Sequence, residues 1–497
     1  MSNQFWVSSK ALAAKVSRVR AGIVAIALLS LVAAGAATAV APAASAPVQA
    51  VDERPNIVFI LADDLDRKVL EFMPNVKTLL ADEGATFENF IYNIALCCPS
   101  RATLLRGQYA HNTGVFGNLS TDGGYAKFLG NGNETSTLPV WLQSAGYVTG
   151  YYGKYFNGYP EGGGVPPSHV PPGWDDWFVA TSAYDGYTYR VSNNGGIKKY
   201  GSAPADYVGD IIADDAIDFL EQNESSVAPF YMNIATFAPH HPFVPAPRHT
   251  QLFPGIVYPK TPNFNEADVS DKPMRPRLIT PTEIAGIDKT FRKRVQAAQS
   301  VDETVAAVVS TLQAQGELDN TYIAFASDNG FHLGEHRISP VVGGKHTPYE
   351  EDIRVPLIIR GPGLTPGTTY PELVGNVDIA PTFAELAGAT TPRFVDGRSF
   401  LPVIQGDAAQ WRQSYLMQRG SVDVTPYHGL RTDRYTYVEY DGGFRELYDL
   451  QVDPYQLRNI HASAPAALKT ALKQRLAALK GCTADVCRSA EVVPVPE

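Results

Sequence analysis

Strand-length apolar runs alternate with stretches of helical period through most of this 497-residue chain, and that alternation limits the fold more than any other feature. Ile57 to Leu61 (IVFIL), Tyr147 to Tyr152, Phe230 to Ala235, Tyr322 to Ala326 and Val355 to Ile359 read as buried strands. Between them Asn75 to Glu83, Tyr207 to Leu220 and the segment near Pro381 to Leu386 read as helices. Val301, Val305, Val308 and Leu312 recur at i, i+4, i+7 and i+11 until Gly316 ends the stripe. Parallel strands need a crossover, usually a helix, to bring the chain back to the starting edge. The alternation therefore predicts an α/β fold with a large, mostly parallel sheet sandwiched by helices. After about residue 405 the pattern changes to short aromatic segments such as Tyr435 to Tyr440, then to a helical Ala/Leu/Lys run from Ala466 to Lys480. The expected organisation is a large domain over 51–405 and a small α+β domain over 406–497.

Residues 1–50 stand apart. Lys10, Lys15, Arg18 and Arg20 precede an uncharged stretch, Ala21 to Ala50, rich in Ala, Leu and Val. This is the pattern of an export signal, and Ala44 and Ala46 suit cleavage ahead of a mature chain beginning near Val51. Uncleaved, the run from Ala21 to Ala41 would also span a bilayer at about 20 residues, and only then would the membrane be a partner. Either way the folded part is expected to be secreted or extracytoplasmic, where Cys482 and Cys487 suit a small disulfide loop. Cys97 and Cys98 are adjacent, and neighbouring cysteines rarely bridge each other. Without the first fifty residues the chain keeps 37 Lys+Arg against 51 Asp+Glu. So acidic a surface lacks the basic stripe that nucleic acid requires, and excludes that partner.

The polar clusters fall at strand ends, where ligands gather in α/β sheets. Asp63 and Asp64 follow IVFIL, and Asp328 and Asn329 follow YIAFAS. Each pair alone would be a turn or cap. Together at neighbouring strand ends they offer oxygen ligands only, a set suited to Ca²⁺ or Mg²⁺ and poorly suited to Zn²⁺. The third element is Cys97-Cys98-Pro99-Ser100-Arg101. Pro99 fits the first turn of a helix, which leaves Cys97 beside free backbone N–H groups and a positive helix end.

Cys-x-Pro-Ser-Arg with Leu104, Leu105 and Gly107 downstream resembles the signature of the type I, formylglycine-dependent sulfatases, whose fold is alkaline-phosphatase-like. The resemblance covers nearly the whole chain after residue 54. Lys154 lies in Gly-Lys-Tyr-Phe-Asn-Gly-Tyr, His240 in Ala-Pro-His-His-Pro, and Lys345 in Gly-Gly-Lys-His-Thr-Pro-Tyr-Glu. Within the family, that lysine stretch, Phe291 to Glu303 and the closing Cys-x4-Cys are similar to N-acetylglucosamine-6-sulfatases, and the extracellular heparan 6-O-endosulfatases share part of the pattern.

The resemblance implies removal of sulfate, 6-O-sulfate of glucosamine-type sugars, from a sulfated saccharide. It implies oxidation of Cys97 to formylglycine (3-oxoalanine) by a formylglycine-generating enzyme, with Cys98 a spectator. Asp63, Asp64, Asp328, Asn329 and the modified Cys97 would hold Ca²⁺, with Mg²⁺ possible. Arg101, Lys154 and Lys345 would spread the charge of the sulfuryl oxygens, and Asp328 would activate the nucleophile. His240, assisted by Lys345, would protonate the departing sugar oxygen. One departure is Phe156, where many sulfatases carry a His two residues after the first Lys; the glucosamine-6-sulfatase group lacks it too. His332, in Asp-Asn-Gly-Phe-His, is the candidate for the proton-transfer role this leaves open, while His336 and His346 read as packing or surface residues. The competing expectations are an aryl sulfatase, a phosphonate monoester or phosphodiester hydrolase of the same superfamily, and a glycan-binding homologue that has lost catalysis.

Overall fold

The computed structural model describes residues 52–119, 121–338, 344–419 and 425–496. The export signal expected over 1–50 lies outside them. Among the described residues no helix is long and apolar enough to cross a membrane.

The apolar runs become the middle of a ten-stranded sheet. Its strands are β1 (Asn56–Ala62), β2 (Ala85–Ile91), β3 (Val148–Gly153), β4 (Asp176–Thr181), β5 (Arg190–Asn193), β6 (Gly196–Lys199), β7 (Phe230–Ala235), β8 (Thr321–Ser327), β9 (Leu357–Arg360) and β10 (Thr368–Gly375). The order is β10-β2-β9-β8-β1-β7-β3-β4-β5-β6, and the five central strands β8-β1-β7-β3-β4 are parallel. β1 shows why these runs are almost continuously apolar. Ile57, Phe59 and Leu61 enter the core on one face, and Val58, Ile60 and Ala62 enter the core on the other. Both faces of the strand are covered, so both sets must be hydrophobic.

The first face packs against α1 (Cys97–Arg106), α2 (Leu138–Ser144) and, later in the chain, the helix Ile379–Leu386; the second packs against α3 (Val208–Asn223) and α4 (Pro281–Gln315). The helix Ile379–Leu386 is α5. The stripe Val301, Val305, Val308 and Leu312 is the buried face of α4, and Gly316 ends it in a left-handed conformation, φ 76°. The helix expected at Asn75 to Glu83 is wound wide at Val76–Ala81, where Asp82 N–H donates to the Lys77 carbonyl five residues back at 2.8 Å.

Outside its centre the sheet is mixed. β9 runs antiparallel to both β8 and β2, and β5 and β6 form an antiparallel hairpin on β4. The reason lies in the connection. Among the described residues between β8 and β9 the one helix is the four-residue Glu350–Ile353, too short for a crossover, so the chain re-enters in the opposite direction.

A second, four-stranded antiparallel sheet follows: β11 (Ser414–Arg419), β12 (Tyr427–Thr432), β13 (Tyr435–Tyr440) and β14 (Arg445–Asp449), in that order. It packs with α6 (Ala466–Leu479) and α7 (Asp485–Glu491) in its own core. Cys482 and Cys487 are bridged, and Cys97 and Cys98 are free thiols.

Candidate active site

Register carries the site. Ala62 of β1 pairs with Ser327 of β8, so the next residues on the two chains, Asp63 and Asp328, emerge side by side. The Asp64 N–H donates to Asp328 Oδ1 at 3.2 Å, and Asn329 Nδ2 donates to Asp64 Oδ1 at 2.7 Å. Asp64 reaches this position in a left-handed conformation, φ 62°, which a short acidic side chain tolerates. On the other side of β1, β7 and β3 end with Ala235 and Gly153 in register. Lys154 follows directly, its N–H donating to the Ala235 carbonyl at 2.8 Å, and His240 lies on the loop after β7. Four adjacent parallel strands thus deliver their polar residues to one end of the sheet.

Cys97 arrives from the opposite direction as the first residue of α1, with Pro99 in the first turn. Its thiol donates to Asp63 Oδ1 at 3.6 Å and accepts from Lys345 Nζ at 3.3 Å. Asn118 Oδ1 accepts from the Cys98 N–H at 2.9 Å, so a side chain outside the helix satisfies one of its free donors. Cys98 Sγ itself only accepts from the Asn157 N–H at 3.3 Å. Burial pushes the Cys97 thiol up to about 12, against the pull of Lys154 and Lys345. An unmodified thiol there stays protonated and is a weak nucleophile.

The cations bind the carboxylates directly. Lys154 pairs with Asp63, and Lys345 pairs with Asp64 at 2.6 Å. Arg101 donates through Nε to Asp328 at 2.9 Å and through Nη1 to the Lys154 carbonyl at 2.6 Å. Burial alone would raise Asp63 and Asp64, but the neighbouring lysines and His240 hold both below the ordinary carboxylate range. Asp328, buried and facing Asp63, is pushed up to about 6 in spite of Arg101.

Donor atoms of Asp63, Asp64, Cys97 and His240 all lie within 4.8 Å of one another. Asn329 Oδ1 is buried without a hydrogen-bond partner, an orphaned oxygen beside three carboxylates. These residues fit a hard divalent cation: anionic and neutral oxygens, one acceptor otherwise unsatisfied, and compensating positive charge at the rim.

The structure brings together every residue expected at the centre except His332. His332 is fully buried, with Nε2 against Thr347 Oγ1 at 2.9 Å and 3.5 Å from Asp352. Burial would lower its pKa, yet Asp352, Glu351 and Glu335 overcome that and push it up to about 9. An imidazole kept charged is a poor proton acceptor, which weighs against the acceptor role expected for His332. Its contacts serve Lys345 instead: its N–H donates to the Gly344 carbonyl at 2.6 Å, and its ring holds Thr347, one contact on each side of the lysine. Phe156 stacks on Phe128, 4.5 Å between centroids, within an aromatic wall.

Tyr184 is a site residue that the sequence does not announce. Its ring lies 4.6 Å from that of His240 and 5.1 Å from Lys154 Nζ. It belongs to an aromatic loop, SAYDGYTY, with no spacing that distinguishes it from its neighbours.

Residues 55–389 match the model of the family described as Sulfatase. The chain belongs to the sulfatase family. Residues 334–481 of this sulfatase also match the family described as N-sulphoglucosamine sulphohydrolase, C-terminal. It is 36% identical over 484 residues to the N-acetylglucosamine-6-sulfatase of Capra hircus, covering 88% of this chain and 86% of the relative. It is 35% identical over 487 residues to that of Homo sapiens, covering 89% and 87%. A solved structure described as a complex with its substrate D-glucosamine-2-N,6-O-disulfate superposes with TM-score 0.71 at 28% identity, over 85% of this chain and 97% of the other.

Proposed function

We propose that this sulfatase hydrolyses the 6-O-sulfate ester of N-acetylglucosamine or glucosamine residues in a sulfated saccharide. In this reading Cys97 is oxidised to formylglycine, and Asp63, Asp64, Asp328, Asn329 and the modified side chain hold Ca²⁺. The observation that carries the reading is the position of Cys97, the first residue of the Cys-x-Pro-Ser-Arg motif, in contact with both Asp63 and Lys345. The goat and human relatives named for glucosamine 6-sulfate chemistry and the solved complex with a 6-O-sulfated glucosamine support the substrate class.

When present, the cation and the hydrated aldehyde supply a Lewis acid for the sulfuryl oxygens and a pair of hydroxyls, one to attack sulfur and one to release sulfate. The rest falls to the chain. Lys154, Lys345 and Arg101 are already fixed by carboxylates and a backbone carbonyl, so charge developing on sulfate meets donors that need no reorganisation. In this reading Asp328 takes the proton of the nucleophile. His240 has Nδ1 fixed by the His241 carbonyl at 2.6 Å, which aims Nε2 at the centre, where it delivers a proton to the departing sugar oxygen. The fold ends its export at the extracytoplasmic side, carried there by the segment over 1–50, and a formylglycine-generating enzyme acts on Cys97 during maturation.

Mass spectrometry of the Cys97 peptide from active enzyme tests this, with the aldehyde expected in place of the thiol. Active enzyme with Cys97 entirely unconverted would sink it. Cys97→Ala should abolish hydrolysis, Cys98→Ala should leave most of it, and chelation should remove it until Ca²⁺ is restored. Faster turnover of an aryl phosphonate than of glucosamine 6-sulfate would favour the phosphonate hydrolase instead.

A further inference from the structure

Beside Lys154 a cavity of about 230 Å³ opens to solvent, lined by Phe156, Asn157, Glu161, Thr181 and Tyr184 among others. It does not end there. A second cavity of about 70 Å³ shares Glu161 and Thr181 with the first and is lined further out by Pro167, Arg190, Ser192 and Ile197. The two cavities thus adjoin at Glu161 and Thr181, one beside the lysine that pairs with Asp63 and the other at the β5–β6 hairpin of the sheet edge.

The inner part offers aromatic surface and polar groups, Tyr184 beside Asn157, Thr181 and Glu161, the combination that sugar faces and hydroxyls require. The outer part is walled by one cation, Arg190, beside Glu161. Arg190 of β5 pairs in register with Lys199 of β6, and directly opposed residues of an antiparallel pair share a face. Two cations therefore stand together in a chain whose net charge is −10. The counter-ion of Arg190 is Glu161 at 3.3 Å, and both side chains are 54% exposed. Such a pair contributes little and yields readily to a ligand. Ile197, 46% exposed and lining the outer cavity, adds an apolar surface on the same hairpin.

We propose that the two adjoining cavities act as one groove that holds the saccharide on one side of the reacting sugar, and that Arg190 with Lys199 binds a second anionic group on a neighbouring unit. The inference rests on the function proposed above and extends it: the enzyme takes sulfated oligosaccharides in preference to the monosaccharide. The planar fork of Arg190 matches either a sulfate or a carboxylate.

The test compares kcat/KM for glucosamine 6-sulfate with that for three tetrasaccharides carrying the same unit at the reacting end. Their neighbouring unit is sulfated, carboxylated or neutral. One or both anionic chains should be preferred over the neutral one by about tenfold, as one charge-assisted contact supplies. Which one wins identifies the anion. The preference should shrink at high salt and disappear in the Arg190→Glu/Lys199→Glu double variant, whose melting curve is compared with that of the parent. Equal rates on all three tetrasaccharides, or a folded double variant that keeps the preference, overturns the inference. If enzyme with converted Cys97 turned over neither monosaccharide nor tetrasaccharide, the proposed function itself would fall, an outcome distinct from both.

Discussion

Three carboxylates govern the charge of His332. Asp352 lies 3.5 Å from Nε2 and Glu335 lies 3.9 Å from Nδ1, with Glu351 acting from further away. His336 and Tyr349 close the pocket with ring centroids 6.4 and 6.1 Å away. Because its pKa rises from 6.5 to about 9 on folding, the stability it contributes is complete below pH 6.5 and is lost as the pH climbs through about 9. The amount is on the order of 3 kcal/mol. His332→Gln should therefore melt well below the parent at pH 6, and the gap should close by pH 9.5. A gap independent of pH would mean that the ring is neutral in the folded protein. The same change loosens Lys345, so turnover should fall even where the fold holds. The expectation from sequence named the residue but not its surroundings, because no spacing tells which carboxylates from later in the chain will surround a histidine.

At the scale of elements, Gly153 joins β3 to Lys154 and shows how the sheet positions chemistry. Its φ is 110°, and a Cβ there would sit 1.9 Å from the Ala235 carbonyl oxygen, the acceptor of the Lys154 N–H. Gly153→Ala should cost about 2–4 kcal/mol and displace Lys154 from Asp63. A denaturant midpoint together with the sulfatase rate checks this, and an unchanged midpoint would show that the strand end relaxes freely. Element boundaries were legible where burial was complete. Phe230–Ala235 and Tyr435–Tyr440 are strands with the same limits that their residues suggest. The β5–β6 hairpin was not legible, since all four residues of β6 are exposed and carry no apolar alternation. Nor was β10, whose buried residues occur only at its end. The direction of β9 was hidden for another reason: it depends on the route of the preceding loop, and apolar periodicity records burial, not direction.

Across the whole molecule, the C-terminal elements brace the segment that follows the nucleophile helix. The Asp396 carboxylate accepts from the Tyr109 and Ala484 N–H groups at 2.8 and 2.6 Å and from Asn112 Nδ2 at 2.7 Å. His111 Nε2 meets the Cys482 carbonyl at 2.8 Å, which sets the disulfide loop against the chain leaving α1. The anchor is Glu491 at the end of α7. It is fully buried, accepts from Arg412 Nε at 2.9 Å and Arg398 Nη2 at 3.0 Å, and receives the Tyr109 hydroxyl. Arg412 has a second partner in Asp378, so one carboxylate lost leaves the buried Arg412 and the part-buried Arg398 with a single acid between them. Removing one member of such a buried network costs roughly 3–5 kcal/mol, most of it the desolvation of charge left unpaired. Glu491→Ala should accordingly lower the denaturant midpoint and expose the last helix to limited proteolysis. Glu491→Gln, which keeps shape and accepts from one arginine, should do so less. If instead both variants unfolded at the parent's midpoint, the C-terminal helix would be a passenger, and the support of α1 would have to come from the large sheet alone.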